Sequence, residues 1–278
     1  MRTILIVFTL VSLTLFGTVT PSHAQTTKYV RYSTEGRTVW GVLEGEAIRE
    51  LSGNVFDAPK PTGRTVKLAD VRLLAPVEPT KVIAAGLNYR SHIGEQPKAK
   101  NPGLFLKLPT SIIGTNQEIA WHEGTTDLHF EGELVIVMGK KASRISPAEV
   151  RAHVFGVTAG NDVSERRWQK EDLQWLRAKG ADTYGPVGPV LVKGLDYNNL
   201  QLTTRLNGEV VQSERTSMLL FNVDTIISHI SQYITLLPGD IVFTGTPGQT
   251  RGMKPGDRIE VEIEGVGVLR NTIGAPRK

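Results

Sequence analysis

The sequence predicts an α+β protein dominated by strands, and three observations carry that prediction. Its apolar residues cluster in short Val- and Ile-rich runs bounded by Gly, Pro and Asn: KVIAAG, LFLKL, ELVIVMG, GPVLV, DIVFTG and RIEVEIEGVGVLRN. The pair Asn207-Gly208, between LTTRL and EVVQ, is a two-residue hairpin signal, because both central positions of a type I′ turn need positive φ. Helical patterns are few, and the chain has no fixed-period repeat or low-complexity tract. Long-range strand pairing with scattered helices defines the class.

Along the chain, Arg2 is followed by the apolar run Ile4 to Phe16 and then by TPSHAQ, with Ser22 and Ala24 as a small pair. This pattern predicts a signal peptide over residues 1–24, and hence an exported, periplasmic protein. The run is shorter than the ~20 residues a membrane span needs, so no stable membrane anchor is expected. KYVRYSTEGRTVWGVLEGEAIREL reads as a β meander with turns at Glu35-Gly36 and Glu44-Gly45, giving a small N-terminal β domain over residues 25–76. DAPKPTGRT, rich in turn formers, reads as a linker, and a larger domain covers residues 77–278. Ser146 and Pro147 open a helix in SPAEVRAHV as cap and first helical residue. Glu165 to Ala178 is a second helix candidate. Val223, Ile226, Ile227, Ile230 and Ile234 fall on one helical face and predict a third.

Composition excludes several function classes. The 278 residues carry a net charge of only +4, with basic and acidic groups interspersed, so nucleic acid is not an expected partner. Cysteine is absent, which rules out disulfides and thiolate metal sites; any metal must be held by oxygen or imidazole.

The acids are the informative residues. In HFEGELVIV, Glu131 and Glu133 are two residues apart, so in a strand they project from the same face and repel. An exposed strand edge would tolerate them. The following LVIV has no alternation, however, which predicts a strand buried on both faces and favours a hard divalent ion as balance. Asp162, after the Gly160-Asn161 turn, could join them or simply cap the next helix. His92 and Glu95, three residues apart in NYRSHIGE, would share a face of one helical turn. Such a pair suits water activation, and equally suits an ordinary surface turn.

HFEGELVIVMGK, GVTAGNDVSERRWQ, KGADTYGPVGP, LNGEVVQ and LLPGDIVFTGTPG followed by KPGDRIEVEIEGVGVLRN together resemble the fumarylacetoacetate hydrolase family over residues 80–273. The resemblance implies a mixed β-sandwich roll, often a homodimer, with Glu131, Glu133 and Asp162 holding Mg²⁺ or Mn²⁺, Ca²⁺ being a further candidate. It implies that His92 and Glu95 activate water and that Lys179 stabilises an enolate oxygen, these three being the catalytic set. Tyr89, Gln169 and Thr246 would bind a small oxo-acid substrate, Thr246 through its hydroxyl. Lys107, Ser111 and Arg166 fall near the cavity with roles less defined. The implied activity is hydrolysis of a carbon–carbon bond in a small 2-oxo or β-dioxo acid, of acylpyruvate or fumarylacetoacetate type, through a metal-bound enolate. The same site would serve a ureidoglycolate lyase, an oxaloacetate decarboxylase or a 2-oxo acid hydratase or isomerase. A periplasmic oxo-acid binding protein is the reading without chemistry. One departure bears on substrate: Met218 stands where the family commonly has an acid.

Overall fold

In the computed structural model, residues 26–277 are described; the leader expected over residues 1–24 lies outside them. Strand is the commonest regular structure of the described chain, in two large sheets with a short two-stranded ladder beside them. From edge to edge the main path of the twelve-stranded sheet runs Lys60–Lys67, Ala47–Ser52, Arg37–Glu44, Thr27–Thr34, Gly185–Lys193, Val154–Asn161, Gly132–Met138, Ile241–Phe243, Val82–Gly86 and Gly103–Lys107. Pairing is mixed: Gly132–Met138 is antiparallel to both neighbours, while Ile241–Phe243 is parallel to Val82–Gly86. The N-terminal meander is hydrogen-bonded onto this sheet through Thr27↔Lys193. Five strands, Glu209–Arg215, Gln201–Leu206, Arg258–Ile263, Gly267–Pro276 and Glu118–Trp121, form the other large sheet. Among the described residues no helix is long and apolar enough to cross a membrane.

Several expected elements form for the expected reasons. Asn207 (φ 53°) and Gly208 (φ 89°) turn the hairpin between Leu206 and Glu209. Ser146 and Glu149 close a reciprocal capping box, the Ser146 amide donating to Glu149 Oε2 at 2.8 Å. The helix Val223–Ser231 buries Val223, Ile226, Ile227 and Ile230. Ile234 lies beyond its end and is 38% exposed, so the expected face is one turn too long. The linker expectation over Asp57 to Thr65 is corrected as well, since Lys60–Lys67 is a strand paired to Ala47–Ser52. The segment Glu165 to Ala178 is two short helices, Arg166–Glu171 and Leu176–Gly180, rather than one.

What positions the site is the strand Gly132–Met138, buried along its whole length. Its side chains alternate between two cores: Leu134, Ile136 and Met138 enter one, Val135 and Val137 the other. Each buried Val, Leu or Ile there contributes on the order of 1.5–3 kcal/mol, enough to hold a rigid strand beneath charged groups. By the same period Glu131 and Glu133 lie on the Val135 side, where the apolar core stops. Gly132 faces the opposite way, against the second sheet, where an added Cβ would lie 2.0 Å from Thr204 Oγ1 and 3.1 Å from Gln212 Oε1. Gly132→Ala is therefore expected to destabilise the fold by about 1–3 kcal/mol, read as a fall in denaturant midpoint at constant m-value. An unchanged midpoint would show that the two sheets are not in contact there.

Candidate metal centre

Antiparallel pairing assembles the acids. Gly132 stands opposite Asn161, so the residues flanking this pair, Glu131 and Asp162, meet at the strand ends. The Asp162 amide donates to the Glu131 carbonyl at 2.8 Å, and the Glu131 amide donates to Asn161 Oδ1 at 2.9 Å. One carboxylate oxygen from each of Glu131, Glu133 and Asp162 lies within 4.8 Å of the others, and all three residues are buried.

Cations surround two of these acids and leave the third. Lys179, at the end of the helix Leu176–Gly180, donates to Glu131 Oε2 and to Asp162 Oδ2, both at 2.8 Å. Lys107, at the end of the edge strand, donates to Asp162 Oδ1 at 2.6 Å and to the Lys179 carbonyl. Arg166 reaches Glu131 Oε1 at 2.5 Å and Thr250 Oγ1 at 2.9 Å, and its other arm reaches Gln169 Oε1 at 2.8 Å. Glu133 accepts the Gly245 amide at 2.6 Å, and among the described residues it has no ion pair.

This asymmetry divides the carboxyls. Burial raises the Glu131 carboxyl, but the Lys179 ammonium and Arg166 guanidinium outweigh it and hold it far below the usual carboxylate range. Burial, with Asp162 and Glu131 beside it, pushes the Glu133 carboxyl well above that range. Burial lowers the Lys179 ammonium, yet Asp162 and Glu131 hold it above its ordinary value and therefore charged. A buried, crowded acid with no cation of its own is what a hard divalent ion would balance, and the donor set, three carboxylates without sulfur, fits Mg²⁺ or Mn²⁺ chemistry.

A cavity of about 100 Å³ opens over these groups, lined by His92, Glu131, Glu133, Arg166, Gln169, Lys179 and Thr246, with Leu87, Phe105 and Trp175 as an apolar wall. Nine sequence-based candidates thus sort as follows. Glu131, Glu133, Asp162 and Lys179 converge, and His92, Gln169 and Thr246 face the same cavity or line it. Tyr89 is fully buried outside that lining, its hydroxyl without a hydrogen-bond partner among the described residues; burial first and Glu133 second keep it protonated. The Thr246 hydroxyl donates to the Gly132 carbonyl at 2.9 Å and accepts from Gln212 at 2.8 Å, so its proton would have to leave the Gly132 carbonyl to meet a substrate carboxylate.

Glu95 stands apart. The first helix, Arg90–Ile93, ends at Gly94 with φ 57°, which turns the chain outward; Glu95 is exposed, and no described hydrogen bond or ion pair joins it to His92. His92 Nδ1 lies 2.7 Å from the Gly248 carbonyl instead. Gln212, which no single-residue signal marked, ties the Gly132 amide to Thr246 and the Pro247 carbonyl. Met218 is 53% exposed and does not line the cavity.

A mixed β roll whose central buried strand opens onto a three-carboxylate centre is a defined class of enzyme scaffold. The chain belongs to the fumarylacetoacetate hydrolase family: the family's "Fumarylacetoacetate (FAA) hydrolase C-terminal" description matches residues 81–274, and a "Rv2993c-like, N-terminal" family matches residues 27–76. Protein Rv2993c of Mycobacterium tuberculosis is 44% identical over 231 residues, covering 81% of this chain and 87% of the relative. The human protein named oxaloacetate tautomerase FAHD2A, mitochondrial, is 38% identical over 245 residues, covering 83% and 77%. The crystal structure titled 2-hydroxyhepta-2,4-diene-1,7-dioate isomerase from Mycobacterium marinum superposes with a TM-score of 0.84 at 40% identity, covering 90% of this chain and 99% of that one. These relatives overturn the expectation of an exported, periplasmic protein, since the one whose name states a location is mitochondrial.

Proposed function

We propose that the chain is a divalent-metal-dependent enzyme that enolises a small 2-oxo acid, with carbon–carbon hydrolysis of an acylpyruvate as the second reading. The observation that carries it is the buried triacid centre on the floor of a cavity that also exposes an imidazole. A Mg²⁺ or Mn²⁺ ion held by Glu131, Glu133 and Asp162 would supply Lewis-acid polarisation of the 2-oxo carbonyl.

The chain's own residues do the rest. His92 lines the cavity, and with Nδ1 engaged by Gly248 its Nε2 is the nitrogen left to take the proton from the carbon beside the oxo group. Lys179, held protonated between two carboxylates, places fixed positive charge where the enolate oxygen develops. Gln169 accepts from Arg166, which leaves its amide donors for a substrate carboxylate. Solvent then protonates the oxygen, giving the enol. In the hydrolytic reading His92 takes the proton from water, hydroxide adds to the distal carbonyl, and the bond to the enolate carbon breaks. Glu95 would enter only if its segment closed over the site.

Enolisation is ranked first because it asks only for one polarised carbonyl and one base, with no second carbonyl to be placed. The names borne by the human and M. marinum relatives point the same way. The same reading divides the chain into an N-terminal β domain over residues 25–76 and a catalytic domain over 77–278, with a homodimer as the working unit; the two family matches support that division. To test the activity, purified protein is stripped with EDTA and offered oxaloacetate and acylpyruvates with and without Mg²⁺ or Mn²⁺. Enol–keto exchange of oxaloacetate that vanishes on stripping and returns with metal is expected. Acylpyruvate cleavage without such exchange would select hydrolysis, and inactivity toward both classes would leave the binding-protein reading.

A further inference from the structure

The helix that carries His92 has four residues, Arg90–Ile93, too few to hold its own shape in water. Its orientation must come from what it touches. Two groups of this helix grip one residue on the opposite loop from both sides: the Gly248 amide donates to Ser91 Oγ at 2.9 Å, and the Gly248 carbonyl lies 2.7 Å from His92 Nδ1. The Ser91 hydroxyl in turn donates to the half-buried Glu214 carboxylate on the strand Glu209–Arg215. Gln249 adds weaker contacts to the carbonyls of Ser91 and His92 at 3.3 and 3.4 Å. Gly248 has φ 61°, a backbone state that glycine adopts without strain and that points both of its polar groups at the helix.

We infer that Ser91 and Glu214 are positioning residues for His92: the chain Glu214, Ser91, Gly248 fixes the imidazole as the Nδ1–H tautomer and leaves Nε2 bare toward the cavity. A carbonyl can only accept, so Gly248 selects that tautomer outright. Ser91 fixes the same residue through its amide, on the other side of the Gly248 Cα, because that amide satisfies an oxygen whose proton is committed to Glu214. Neither residue lines the cavity. Glu95, the residue whose spacing suggests this orienting task, is exposed and has no hydrogen bond or ion pair to the ring among the described residues.

The inference builds on the enzyme reading but is testable without substrate. Long-range ¹H–¹⁵N spectra of the full chain report which imidazole nitrogen carries the proton, with the His92 signals assigned by their loss in His92→Gln. Wild-type protein is expected to show His92 protonated at Nδ1 and bare at Nε2. Ser91→Ala and Glu214→Ala should shift it toward a mixture with the Nε2–H form, while Glu214→Gln, which can still accept from Ser91, should behave as wild type. On a turned-over substrate the two alanine variants should lose kcat by about tenfold to a hundredfold, with KM and Mg²⁺ affinity unchanged, as expected for a misaimed base. Wild-type His92 protonated at Nε2, or a ring still locked at Nδ1–H in Ser91→Ala, overturns the proposal. Tautomer shifts as expected, in a protein that processes no 2-oxo acid, would uphold the positioning and remove the enzyme reading.

Discussion

Glu133→Gln is expected to abolish divalent-ion binding and turnover together, and to leave the ion-free protein at least as stable as wild type. The amide keeps the shape and the acceptor that Gly245 uses, so the local fold has no reason to collapse. It removes one of three carboxylates, a loss of roughly 100-fold or more in ion affinity given that even residues behind the ligands cost 10–100-fold. The stability half follows from sign. Glu133 in the folded chain has its carboxyl raised by burial and by Asp162 and Glu131, above the value it takes when unfolded. A group raised in this way contributes fully below the ordinary carboxylate range, and that contribution is lost as pH rises through the raised value. Ion-free wild type should thus lose stability as pH rises, and Glu133→Gln should lack that limb. Ion binding runs the other way: the ion competes with the Glu133 proton, so affinity should strengthen as pH rises, with proton release measurable by calorimetry in buffers of different ionisation enthalpy. Metal affinity that does not change with pH, or survives in Glu133→Gln, would place the ion elsewhere.

Much of this site was legible in the sequence, and the residues that were not share physical reasons. Glu131 and Glu133 could be read because a strand has a strict two-residue period, and LVIV showed that the strand is buried on both faces. The Asn207-Gly208 turn could be read because few residues tolerate positive φ twice in succession. The strand Lys60–Lys67 was hidden by its turn-forming residues, Pro61 and Gly63. It occupies the sheet edge, where a proline costs no ladder bond on the open side. Lys107 gave no sign of its partner, since Asp162 lies 55 residues away and only sheet order brings the two together. The His92–Glu95 spacing predicted a shared face correctly for an unbroken helix; Gly94 breaks it one residue too soon. Local periodicity is written in the chain, and long-range encounters are written only in the fold.

His92→Ala should keep ion affinity and lose turnover by about 10²–10⁴-fold, the scale of a lost general base. The triacid centre contains no imidazole, so nothing in the coordination depends on this ring. Among the described residues the nearest alternatives are compromised as bases. Lys179 is held charged by Asp162 and Glu131 and has no lone pair to offer. His129, beside the Arg166 network, has both nitrogens engaged, Nδ1 with Thr250 Oγ1 and Nε2 with Asp127 Oδ1, each at 2.9 Å. The Tyr89 phenol is driven away from ionisation by burial and by Glu133. Glu133 has the raised carboxyl that a base could exploit, but it is also a proposed ligand, and an ion bound there would occupy the lone pairs a proton needs. The proposed base is therefore Nε2 of His92, and the variant separates the functional readings by what it leaves behind. In an enzyme, His92→Ala should still bind Mg²⁺ and an oxo acid while kcat falls and KM holds. In a pure binding protein the substitution should cost affinity or nothing, with no rate to lose. Undiminished turnover in the purified variant would mean that proton transfer proceeds through solvent, and that the positive charge of Lys179 and the ion alone account for the catalysis.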